Sequence, residues 1–174
     1  MGGRAGGGAG MGSRSGSASS RIAKAERSIA GNDYETLIVF DDKGNITFQK
    51  KGTANSVDYT GVDTSNKVTT HNHPNGTAFS DSDITSAITS NEKEIRVVGK
   101  EYTFSLKRPD GGWNRAPSTV AKKYKQIQNK NDWKYYANRT GNAASDRKLK
   151  ISLSIDTVST LSKSFGWDFK ATKN

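Results

Sequence analysis

Val68-Thr69-Thr70-His71-Asn72-His73-Pro74 reads as a short β-prone run that ends on the chain's only two histidines, just before Asn75-Gly76. In an extended strand, residues i and i+2 point to the same face about 7 Å apart, so both imidazoles can converge on one ion. Downstream, Ser80-Asp81-Ser82-Asp83 opens a helix: the serine is a good cap, two acids fall in the first turn, and Ile84, Ala87 and Ile88 share one helical face. A zinc ion takes His nitrogen and carboxylate oxygen at about 2.0–2.1 Å, and Asp83 is the candidate third ligand beside His71 and His73. Three protein ligands leave a fourth position for water, which marks a catalytic rather than a closed structural site. Each residue also has a plainer reading. The histidines could sit in an exposed turn, and Ser80 and Asp83 could be only a helix cap and an acid matched to the helix dipole.

On the N-terminal side of this stretch, Thr36–Phe40 and Asn45–Lys50 flank Asp41-Asp42-Lys43-Gly44 and predict a hairpin, with Gly44 supplying a positive φ. Ile46 and Phe48 alternate with polar neighbours, so one face of the second strand is expected to be wet. Residues 21–30 are helix formers that stop at Gly31-Asn32. Residues 52–66 read as loop, with a short strand near Val57–Tyr59. On the C-terminal side, Glu94–Val98 and Glu101–Leu106 predict two more strands, and Pro109-Asp110-Gly111-Gly112 closes the unit. Val120, Tyr124 and Ile127 then mark one helix, and Ile151, Ile155, Val158 and Phe165 another.

Leu, Ile, Val and Phe number only 29 of 174 residues, but 17 of them fall between Tyr34 and Leu106, which places the core there. Residues 1–20 hold eight Gly and five Ser, a composition that buries little and reads as a disordered leader. The expected division is therefore a leader over 1–20, a folded unit over 21–112 and a basic helical extension over 113–174. The net charge of +10 is uneven: residues 22–112 hold 11 basic and 13 acidic side chains, whereas 113–174 hold 13 basic and 4 acidic. In the latter, Lys122, Lys123, Lys125, Lys130, Lys134 and Arg139 are interleaved with Tyr124, Trp133, Tyr135 and Tyr136. Such a segment either packs its aromatics on the domain or binds nucleic acid through stacking and phosphate contacts. Cysteine is absent, which excludes disulfides and thiolate chemistry. The longest apolar run is Leu37–Phe40, too short to span a bilayer, so no membrane association is expected.

His71-Asn72-His73-Pro74 followed by Ser80-x-x-Asp83 resembles the JAMM motif of the JAB/MPN metallohydrolases, and the His-Asn-His-Pro-x-Gly form is especially similar to RadC-type bacterial members. The resemblance covers roughly residues 34–106. It implies an α+β, cytidine-deaminase-like fold, a mixed β-sheet flanked by helices, and a zinc-dependent hydrolase of peptide or isopeptide amides. It further implies that His71, His73 and Asp83 hold Zn2+, that Glu35 is the general base and that Ser80 stabilises the oxyanion. Asp33 and Glu26 lie close enough in sequence to substitute for Glu35. Six residues separate His73 from Ser80, where the family usually has seven. The Gly/Ser/Arg leader together with Glu35-Thr-x-x-Val-Phe-Asp-x-x-Gly-Asn and Glu94-Ile-Arg-Val-Val-Gly is similar to domains of phage minor head, or head-morphogenesis, proteins. That likeness implies phage structural proteins as partners and a bacterial host cytoplasm or virion as location. Two other functions fit the same resemblance: a catalytically inactive binding module of a phage head, and a DNA-associated RadC-like factor.

Overall fold

A computed structural model describes residues 16–174. Most of the expected leader, residues 1–15, lies outside the described residues. Helix α1 (Ala18–Ile29) starts earlier than the sequence predicts, because Ser17 caps it by accepting a hydrogen bond from the Ser20 amide. Next come the hairpin β1 (Thr36–Phe40) and β2 (Ile46–Lys51), then β3 (Val68–Asn72), α2 (Asp81–Thr89), β4 (Glu94–Val98) and β5 (Tyr102–Lys107). Two long helices, α3 (Pro117–Asn138) and α4 (Ala143–Phe165), precede β6 (Asp168–Lys173). The fold is α+β, with one mixed sheet in the order β2-β1-β3-β4-β5-β6. β3 and β4 are parallel and joined through α2, whereas the other neighbouring strands pair antiparallel.

Register assigns the two faces. Leu37, His71, Val97, Phe104 and Ala171 pair in turn across the sheet and so share one face, while Ile38, Thr70, Arg96, Ser105 and Lys170 share the other. On the first face, Ile95, Val97, Phe104 and Leu106 pack with Phe79, Ile84 and Ala87, and with Val120, Tyr124, Val158 and Leu161 of the long helices. The 52–66 loop covers β1 there through Val57, Tyr59 and Val62 over Leu37 and Val39. Val57–Tyr59 forms no strand; its side chains serve as a lid on β1. On the opposite face α1 buries Ile22 and Ile29 against Ile38, Phe40, Val68 and Val98. There Glu26, 3% exposed, pairs with Arg96 through Nε–Oε1 at 2.7 Å and accepts a hydrogen bond from the Thr70 hydroxyl.

Two expectations change. β2 is an edge strand whose Ile46 and Phe48 are both exposed, so alternation in the sequence does not translate into a buried face. Residues 113–174 are more than a helical extension: they supply the edge strand β6 and bury Trp113, Trp167 and the α3 and α4 stripes in the same core as α2. Among the described residues no helix is long and apolar enough to cross a membrane.

Candidate metal centre

His71 lies at the centre of the sheet, on the face covered by α2, and is 1% exposed. β3 ends at Asn72, and His73 follows with its amide bonded to the Val98 carbonyl, so the second imidazole turns back toward the first. Nε2 of His71 and Nε2 of His73 are 3.0 Å apart. Asp83, in the first turn of α2, brings Oδ1 to 3.4 Å from the His71 Nε2 and Oδ2 to 3.5 Å from the His73 Nε2. Among the described residues, these three form a group able to hold a metal ion. A tetrahedral ion with bonds of about 2.0–2.1 Å needs donors roughly 3.3–3.4 Å apart. The His71 Nε2–Asp83 Oδ1 separation meets that need, the two Nε2 atoms sit somewhat closer, and all three donors lie within 4.8 Å of one another; three such donors would leave one vertex of a tetrahedral ion open.

The outer nitrogens are tied as well. His73 Nδ1 is 2.9 Å from the Thr77 carbonyl, which can only accept, so that nitrogen carries the proton and Nε2 presents its lone pair. His71 Nδ1 meets the Tyr59 hydroxyl at 3.1 Å. Such outer partners fix the tautomer and ring orientation of ligating histidines. Asp83 has two duties. Its Oδ2 accepts from the Ser80 amide at 2.6 Å while the Ser80 hydroxyl accepts from the Asp83 amide at 3.1 Å, a complete capping box that leaves Oδ1 toward His71. The capping reading of Ser-x-x-Asp holds, and it leaves the Asp83 Oδ1 toward His71, where it could also serve an ion. Burial would raise the Asp83 pKa, but the charges and hydrogen bonds of His71 and His73 hold it well below the usual carboxylate value. Burial likewise depresses His73, yet the Asp83 carboxylate outweighs it and leaves the imidazole above its ordinary pKa.

Beside the triad is a cleft of about 270 Å3, lined by Glu35, Tyr59, His73, Ser80 and Asp83. Glu35 is 7% exposed and lines this cleft. Burial raises its pKa above 4.5 against the opposing pull of His71 and His73. Its backbone is held at the cleft by Thr53 and Gly52, and the next residue by Asn72, whose side-chain oxygen accepts from the Thr36 amide at 2.7 Å. The residue between the two histidines thus positions the segment that carries Glu35. Asp33 and Glu26 do not take its place: Asp33 does not line the cleft, and Glu26 is engaged by Arg96 on the far face. Sequence reading missed Asn72, Tyr59 and Thr77. Asn72 carried a signal, since a strand residue flanked by two ligands must point to the opposite face; the other two carried none. Compared with family models, curated proteins and solved structures, the chain matches none of them.

Proposed function

We propose that this chain is a zinc-dependent hydrolase with a JAB/MPN-like fold, acting on a peptide or isopeptide amide of a protein substrate. The observation that carries the reading is the meeting of two imidazole Nε2 atoms and one carboxylate at ion-sized separations, next to a cleft that also holds Glu35 and Ser80. Zinc held by His71, His73 and Asp83 would supply a Lewis acid able to acidify water toward a pKa of about 7. His71 and His73 offer lone pairs whose direction is held by Tyr59 and Thr77, and Asp83 contributes the negative charge that a doubly charged ion favours. Glu35, at the wall of the cleft with its pKa raised by partial burial, takes the proton of the attacking water on its carboxylate and returns it to the leaving amine nitrogen. The Ser80 hydroxyl accepts from the Asp83 amide, so its own proton remains to be donated, and the developing oxyanion is the acceptor this reaction requires. The phage-head likeness of residues 35–106 favours structural proteins of a phage particle as substrates or partners, handled in the host cytoplasm or on the virion.

Elemental analysis of the purified chain should give close to one zinc per molecule, and His73→Ala should lose it. Native protein that takes up no zinc would end the reading. One observation favours a second reading, a zinc-holding binding module without turnover: the Ser80 hydroxyl also lies 3.1 Å from the Ser82 hydroxyl, an alternative acceptor for its proton. Glu35→Gln separates the two. It should keep the zinc and abolish cleavage of a protein substrate if the site turns over, and change nothing if it does not.

A further inference from the structure

The α3–α4 hairpin carries a surface that the metal centre does not use. One stripe of α3, Val120, Tyr124, Ile127 and Asn131, is buried against α4 and the domain. The opposite stripe faces solvent and presents Gln126, Lys130, Trp133 and Tyr136 at helical spacing. Trp133 is 78% exposed and Tyr136 62% exposed, so these rings are not packed on the domain.

The chemistry around the rings identifies what fits. Lys130, Lys134, Arg139 and Lys150 lie along the outer half of the hairpin, all exposed, with the Lys150 Nζ 5.4 Å from the Tyr135 ring centre. The Arg139 guanidinium sits 5.2 Å from the Tyr136 ring centre. Nearby acids are few. Asp156 lies 3.9 Å from Lys134, Asp146 is held by the Thr140 and Gly141 amides, and Asp132 is exposed beside Trp133. A membrane-surface helix would need a contiguous aliphatic and aromatic face, whereas the residues between the rings here are Lys134 and Tyr135, flanked by Gln126, Asn129 and Asn138. Flat rings separated by cations and amides are the arrangement that stacks unpaired bases while holding their phosphates.

We infer that the tip of the α3–α4 hairpin binds single-stranded nucleic acid, with Trp133 and Tyr136 as the stacking platform and Lys130, Lys134 and Arg139 as phosphate contacts. This binding is independent of the zinc site and of hydrolysis. It has a direct spectroscopic readout, because Trp113 and Trp167 are buried at 4% and 7% exposure and only Trp133 of the three tryptophans is open to a base.

The test titrates the full chain with a 20-residue oligothymidylate in about 50 mM salt, following tryptophan emission and the anisotropy of a labelled strand. Saturable quenching is expected, with affinity falling on addition of salt by about 0.7 log units per log unit of salt for each phosphate engaged. Trp133→Ala should lose the quenching and bind roughly 5- to 150-fold more weakly, Tyr136→Ala should weaken binding in the same range, and Trp133→Phe should keep most of the affinity. The inference is overturned if the strand does not bind, if Trp133→Ala binds as tightly as the parent, or if a duplex binds equally well without quenching. Quenching by vesicles of phosphatidylserine and phosphatidylcholine, with none by the oligonucleotide, would also overturn it and assign the tip to a membrane surface.

Discussion

Glu92 lies on the same side of the sheet as the candidate metal centre, 1% exposed, with the Thr69 hydroxyl donating to its Oε2 at 2.7 Å. Burial pushes its pKa up to about 7. An unfolded chain would ionise this carboxyl near 4.5, so between about pH 4.5 and 7 the folded protein binds the extra proton. Its stabilising contribution is complete below that window and is lost as pH rises through it, a change on the order of 3 kcal/mol. Thermal unfolding followed across this range should show the decline, and Glu92→Gln should flatten it and unfold at a higher temperature than the parent at pH 8. A parent curve that is flat from pH 5 to 8 would contradict the assignment. At this scale the site was partly legible in the sequence. His71, His73, Ser80 and Asp83 were readable because local spacing alone puts two histidines on one strand face and an acid in a helix's first turn. Glu92, Tyr59 and Thr77 were not, because their partners arrive through tertiary packing from elements that local spacing does not connect.

The unit β3-α2-β4 presents the site at the carboxyl end of β3, and the turn after His73 has to return the chain to α2 within a few residues. Gly76 makes that turn possible at a φ of +77°. A methyl group there would lie 2.9 Å from the Arg147 Nη2 and 3.1 Å from the Ile151 Cδ1. The arginine tip can swing aside, but the left-handed backbone cannot be relieved. Gly76→Ala should therefore cost about 1–3 kcal/mol, seen as a melting temperature lowered by several degrees, and an unchanged melting temperature would refute this account. The hairpin, β3, α2, β4 and β5 were all readable from periodicity and turn residues. β6 was not. Its Asp168-Phe169-Lys170-Ala171-Thr172-Lys173 carries one large apolar side chain, Phe169, which stacks on Phe104 while most of the strand stays exposed. An edge strand with so little to bury leaves no alternation to read.

Over the whole molecule, the basic C-terminal third and the rest of the chain are joined by a continuous core. Trp113 meets Trp167 edge-on at 5.2 Å, and Val120, Tyr124, Val158 and Leu161 pack with Ile84, Ala87, Ile95 and Leu106. The Tyr124 hydroxyl donates to the Phe79 carbonyl at 2.9 Å, just before the α2 cap. A chain ending at residue 112 would strip the cover from α2 and β5, and it should show no cooperative melting transition; a sharp transition in that fragment would show that 21–112 folds alone. Composition hid this unity, because the charge and polarity of 113–174 reflect its outer surface, while its buried stripes supply only a few residues per helix.

The capping box of α2 has one more effect. Ser80 grips one oxygen of Asp83, and Tyr59 and Thr77 grip the far sides of both imidazoles, so the cage is set before any ion arrives. An ion captured there would spend little of its free energy on ordering the backbone, and its removal by a chelator should leave the helix intact. In this respect the candidate centre would differ from a zinc finger, whose apo form is a coil.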